Sequence, residues 1–146
     1  MLNLSVIGTS GITEKFLSAA RKTGRFELVA CYSRTGEKGE AFAKAQGFKG
    51  CCTDITELAK SPDINAVYIA TPNSLHYAQS RIFLENGKHV LCEKPITASA
   101  KEYDALLKLA DEKGVIYAEA IMSRHFKGRK ILFNALSEIG DISAAR

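Results

Sequence analysis

The stretch Leu2-Asn-Leu-Ser-Val-Ile-Gly-Thr-Ser-Gly-Ile-Thr13 constrains the chain most, because an apolar run ends in a glycine loop and an amphipathic segment follows at once. That order reads as strand, tight turn and helix. Val6 and Ile7 form the buried end of the strand, Gly8 permits a sharp turn with backbone close to a ligand, and Ile12 opens helical spacing with Phe16, Leu17 and Ala20. A helix starting there aims free backbone N–H groups and the positive end of its dipole at the loop. An anion suits that place, and a dinucleotide pyrophosphate is the usual one.

Set against the spacing G-x-G-x-x-G/A, Gly8 takes the first position, Ser10 stands at the second and Thr13 at the third, with Gly11 one residue late. Ser10 brings a hydroxyl that can itself donate to a phosphate oxygen. Thr13 is expected to push helix and strand slightly apart. Alone, the loop leaves phosphate binding and an ordinary strand-to-helix turn both open. A nucleophile elbow is excluded, since G-x-S-x-G needs glycine where Ile12 stands.

With 146 residues, 46% hydrophobic and 25% charged, the chain suits one soluble domain with a real core. No apolar run reaches the length of a membrane span, and no basic region followed by an apolar core opens the chain. The expectation is a cytoplasmic protein without membrane contact. Its net charge of +4 is scattered over predicted helices rather than gathered on one face, which argues against a nucleic-acid partner. Cys31, Cys51, Cys52 and Cys92 lack C-x-x-C spacing and read as reduced, buried thiols. His76, His89 and His125 have no close partner at helical spacing, so no metal site is expected.

The strand and helix patterns go on alternating. Phe26 to Tyr32 is the second strand, and at its carboxyl end, where a dinucleotide fold places an acidic residue on the ribose hydroxyls, stands Ser33-Arg34-Thr35. A hydroxyl and a guanidinium fork hold a 2′-phosphate, which a carboxylate would repel, so NADP(H) is favoured and NAD(H) stays possible. A solvated loop charge is the alternative reading of Arg34. A helix over Gly36 to Gln46, a third strand from Phe48 to Cys52 and an Asp54-Ile-Thr-Glu57 capping box follow. Ala66 to Ala70 is apolar without alternation, as in a strand covered on both faces of a parallel sheet. Thr71, Pro72, Asn73 and His76 then lie at its carboxyl edge, where ligands of open α/β sheets collect, with Asn73 also readable as a cap of the helix from Leu75 to Glu85.

His89 to Cys92 makes the fifth strand and delivers Glu93-Lys94-Pro95 to the same edge, so that Lys94 points into the crevice beside the glycine loop. A surface ion pair between Glu93 and Lys94 is the plainer alternative. Ser99-x-x-Glu102 caps a helix running to Gly114, and Val115 to Ala120 is the sixth strand. The fold class is therefore α/β, a doubly wound parallel sheet.

Taken together, Val6 to Thr13, Tyr32-Ser-Arg34, Ala70-Thr-Pro-Asn-Ser-Leu-His76, Val90-Leu-Cys-Glu-Lys-Pro-Ile96 and Glu119 to Arg124 resemble the Gfo/Idh/MocA family of NAD(P)-dependent oxidoreductases, its dihydrodiol dehydrogenase-like members above all. The resemblance implies a Rossmann domain over residues 1–122. In it Gly8, Thr9, Ser10, Gly11, Ile12 and Thr13 bind pyrophosphate, Ser33 and Arg34 the adenosine end. Thr71, Pro72, Asn73, His76 and Glu93 line the ribose or nicotinamide end, and Lys94 stands at the hydride-transfer site as the catalytic residue. Substrates of such a family are sugars, cyclitols, diols and related hydroxyl or carbonyl compounds. Its members continue into a second α/β domain; here Phe126 to Glu138 reads as a connecting helix and Gly140 to Ser143 as the start of that missing domain. A cofactor-binding piece of a larger, homo-oligomeric enzyme, itself nearly inactive, is thus expected; the alternative is a short NADP(H)-binding sensor or partner module.

Overall fold

In a computed structural model of the chain, which describes residues 1–136, the alternating pattern becomes one parallel sheet wrapped by helices. Its strands are β1 (Leu2–Ile7), β2 (Phe26–Tyr32), β3 (Gly50–Cys52), β4 (Ala66–Ile69), β5 (His89–Cys92) and β6 (Tyr117–Glu119). Between and after them run α1 (Gly11–Thr23), α2 (Gly36–Gln46), α3 (Ile55–Lys60), α4 (His76–Glu85), α5 (Ala100–Lys113) and α6 (Lys127–Ala135). The spatial order is β3-β2-β1-β4-β5-β6, and every neighbouring pair is parallel. From β1 the chain works outward to β3, then returns to the other flank of β1 with β4. The loops leaving β1 and β4 therefore diverge to opposite sides, which opens a crevice at their carboxyl ends.

Burial follows from the pleat. Val67 and Ile69 of β4 enter a core layer with Phe83, Leu84 and Leu106, while Tyr68 between them enters the opposite layer with Leu4, Val6, Leu17 and Ala20. Both faces of β4 are covered, so it carries no polar alternation. The register of Ile7 with both Tyr32 and Ile69 brings three strand ends to one edge of the sheet. Among the described residues no helix is long and apolar enough to cross a membrane.

Several element boundaries differ from the sequence reading; β4 ends at Ile69 rather than Ala70 and β6 at Glu119 rather than Ala120. The third strand begins at Gly50 rather than Phe48, because the Phe48 N–H is spent on the Ala43 carbonyl, closing the end of α2. The sixth begins at Tyr117 rather than Val115 for the same reason, the Val115 N–H bonding to Ala110 at the end of α5. The helix expected from Leu75 starts at His76, after a 3-10 turn over Asn73–Leu75. Of the helix read over Phe126 to Glu138, Lys127–Ala135 is helical; its last two positions and the strand start at Gly140 to Ser143 lie outside the described residues.

Candidate functional site

Gly8 sets the site. Its φ of 103° lies in the left-handed region, and a β-carbon there would collide with the Ala70 carbonyl oxygen and sit 2.9 Å from the carbonyl carbon. The close approach demanded of this glycine is therefore to the end of β4. Gly11, by contrast, opens α1 with nothing within 4 Å of the place a β-carbon would take. Ser10 is the N-cap of α1, yet its side chain makes no capping hydrogen bond. The N–H groups of the first turn consequently remain open at the helix head, together with the positive dipole end. Thr9 is exposed. Thr13 is fully buried, its Oγ1 without a partner.

A cleft of about 560 Å³ lies at this edge, lined by Ser10, Ile12, Ala70, Thr71, Pro72, Asn73, His76, Glu93, Lys94 and Met122. Most of the sequence candidates thus share one cavity, to which the ends of β4 and β5 and the head of α1 all contribute. The ion pair expected as the plainer alternative for Glu93 and Lys94 does not form. Glu93 is 8% exposed; its Oε1 accepts the Tyr68 hydroxyl at 2.7 Å and its Oε2 the Lys94 N–H at 3.3 Å. The Lys94 ammonium is exposed and has no partner among the described residues. Asn73 does not act as a side-chain cap; it opens the 3-10 turn with its amide exposed.

His76 is 1% exposed, and both ring nitrogens face backbone carbonyls, Nδ1 that of Pro95 at 2.8 Å and Nε2 that of Thr71 at 2.9 Å. Whichever ring nitrogen carries the proton donates to one of these carbonyls, holding His76 between the loop after β4 and the segment after Lys94, and a ligand contact from that nitrogen would displace the bond. The Thr71 hydroxyl is likewise engaged, donating to Gln79 Oε1 at 2.6 Å. Ser33 and Arg34 stand apart from the cleft, at the end of β2 one strand over. The Ser33 hydroxyl is held in a local turn, donating to the Thr35 carbonyl at 2.9 Å, while the exposed Arg34 guanidinium has no partner among the described residues.

Besides Ala70 and Met122 of the lining, two residues that brace the site, Tyr68 and Glu119, are not assigned a role from the sequence. Tyr68 reads there only as strand, although a lone aromatic hydroxyl in an aliphatic run needs a polar partner when buried, and that requirement is the available signal. Glu119 at the tip of β6 accepts the Ile96 N–H at 2.9 Å and so fixes the chain just beyond Lys94 and Pro95.

A doubly wound parallel sheet with a crevice at its switch point, an uncapped helix head and a free ammonium defines the class of dinucleotide-binding domains. Residues 2–121 match the family model described as the oxidoreductase family with NAD-binding Rossmann fold, and the chain belongs to that Gfo/Idh/MocA family. It is 38% identical over 142 residues to the scyllo-inositol 2-dehydrogenase (NADP(+)) of Bacillus subtilis, covering 97% of this chain and 43% of that protein. Over 145 residues it is 33% identical to the trans-1,2-dihydrobenzene-1,2-diol dehydrogenase of Oryctolagus cuniculus, covering 97% of this chain and 44% of that one. Among solved structures, a 3-ketoreductase from Actinomadura kijaniata in complex with NADP and TDP-benzene superposes with a TM-score of 0.89 at 28% identity, covering 94% of this chain and 42% of that chain. The chain thus spans less than half the length of these relatives.

Proposed function

We propose that this chain is the cofactor-binding part of an NADP-linked oxidoreductase that interconverts a hydroxyl and a carbonyl group on a small polyol, sugar, cyclitol or diol. The observation that carries it is the cleft at the switch point, where the open head of α1 and the unpaired Lys94 ammonium face the same space. The Lys94 ammonium makes no ion pair among the described residues and the head of α1 has no side-chain cap, which fits a dinucleotide diphosphate. Residues Gly8 to Thr13 hold the pyrophosphate, Ser33 and Arg34 the adenosine end with its 2′-phosphate, and Pro72, Asn73 and Glu93 the nicotinamide ribose end, while Thr71 and His76, engaged within the protein, fix the loop that carries them. When bound, the nicotinamide ring supplies hydride acceptance and donation. Lys94 would then move the proton: its ammonium gives one to the carbonyl oxygen as a substrate is reduced, and the neutral amine left behind is the form that takes the hydroxyl proton when an alcohol is oxidised.

Residues 1–122 form the nucleotide domain in this reading, and residues 123–146 lead toward a substrate domain through which the whole protein pairs with further copies. Exposed Ile131, Leu132 and Phe133 on α6 support such a covered neighbour. Fluorescence titration with NADPH and NADH tests the cofactor assignment. NADPH is expected to bind more tightly, and Arg34→Ala to weaken NADPH about tenfold or more while sparing NADH, the loss of charge-assisted hydrogen bonds. Tighter NADH binding by the native chain, or equal effects of Arg34→Ala on both, would overturn it.

A further inference from the structure

Tyr68 links α1 to Glu93 at the end of β5. Its side chain is 1% exposed in the middle of β4. On one side Phe16 of α1 stacks on the ring, with centroids 3.8 Å apart and planes within 16°. At the far end the hydroxyl donates to Glu93 Oε1 at 2.7 Å. Register explains the meeting: Tyr68 pairs with Leu91 across the parallel ladder, and Glu93, two residues on, returns to the same side of the pleat. Glu93 is nearly buried and has no ion-pair partner among the described residues, so its charge rests on hydrogen bonds, and the Tyr68 hydroxyl is the shorter of the two given to it. Burial, then the neighbouring carboxylate, push the Tyr68 phenol above its ordinary range.

We propose that Tyr68 is a positioning residue: it holds the Glu93 carboxylate, and through it the backbone at Lys94, in fixed relation to the head of α1, so that the nicotinamide ribose meets a preset acceptor. The inference rests on the cofactor reading above. It separates two halves of one ligand, since the adenosine end docks at Arg34, away from Tyr68, while the nicotinamide ribose end meets Glu93.

Tyr68→Phe tests it, because the change removes one oxygen and keeps the ring on Phe16. Two probes are titrated into native and variant chains: NADPH, and 2′,5′-ADP, which carries the adenosine end alone. The expected result is about tenfold weaker NADPH binding with 2′,5′-ADP unchanged, the loss of one hydrogen bond to a charged group. A second arm compares Tyr68→Phe, Glu93→Ala and the double variant; a shared role requires that Tyr68→Phe add nothing once Glu93 is gone. Native affinity for both probes in Tyr68→Phe, equal loss of both, or additive losses in the double variant would overturn the positioning role. Failure of the native chain to bind NADPH would instead sink the cofactor reading itself.

Discussion

Two glycines three residues apart in the same loop are there for different reasons. Gly8 is required by the protein's own backbone: its positive φ and the Ala70 carbonyl leave no room for a side chain. Gly11 has open space around it and an ordinary helical position, so only a ligand lying on the helix head would demand its smallness. Gly8→Ala is therefore expected to destabilise the fold by about 2 kcal/mol or more, from left-handed strain plus the clash. Gly11→Ala should leave stability unchanged or raise it by about 0.5 kcal/mol, through helix propensity alone. Urea unfolding of the two variants beside the native chain checks this, and equal losses would show that the loop is not pinned on β4. The sequence spacing places Gly8 correctly and names a ligand as its close neighbour. A contact between residues 8 and 70 has no local signature, so the part played by β4 is invisible there. Glu93 follows the same pattern: its neighbour in sequence is Lys94, but its partner in space is Tyr68, supplied by strand register.

Elements are legible where the pattern is local and misplaced where two patterns share residues. Helix starts carry their own chemistry. Asp54 accepts from the Thr56 and Glu57 N–H groups at 2.7 and 3.2 Å, and Ser99 accepts from Glu102 at 3.3 Å while Glu102 reaches back to the Ala98 N–H at 3.0 Å. Both signatures stand plainly in the sequence. The starts of β3 and β6 do not, because Phe48 and Val115 are apolar and aromatic or β-branched like strand residues, yet their N–H groups close the preceding helices. An α3 of 6 residues has little propensity to spare, so its cap should matter. Asp54→Ala is expected to cost about 1 kcal/mol, and Asp54→Asn, which keeps an accepting oxygen, only a few tenths. Thermal unfolding distinguishes them, and an Asn variant as unstable as the Ala variant would contradict a capping role. Because α3 leads directly into the turn before β4, this cap also sets the strand whose end carries Ala70 and Thr71.

At the scale of the whole molecule, the sheet separates two apolar layers, and each holds a buried thiol: Cys31 on the α1 side, Cys92 on the side of Phe83 and Leu106. Both are fully shielded, and all four cysteines are free, Cys51 and Cys52 being half-buried. Burial pushes the Cys31 thiol up to about 12, with the neighbouring Cys51 adding to it, and burial likewise pushes Cys92 to about 12. Tyr117 is raised too, chiefly by burial. The sign follows from proton binding. In the unfolded chain these thiols lose their protons near their ordinary value of 9.0, whereas the folded chain keeps them until about pH 12. Between those limits the unfolded state holds fewer protons, so rising pH favours it; the stabilisation is complete below pH 9 and is lost progressively toward pH 12. Unfolding midpoints are therefore expected to hold steady through neutral pH and fall steeply above pH 9. The double variant Cys31→Ala, Cys92→Ala should start from a lower midpoint at neutral pH, since two buried sulfurs leave space behind, and should fall less steeply in alkali. Parallel alkaline slopes in the native and double-variant proteins would assign the loss to the phenols of Tyr68 and Tyr117 instead. Either way the two layers are joined, because β4 and β5 contribute side chains to both and also carry the cleft at their ends.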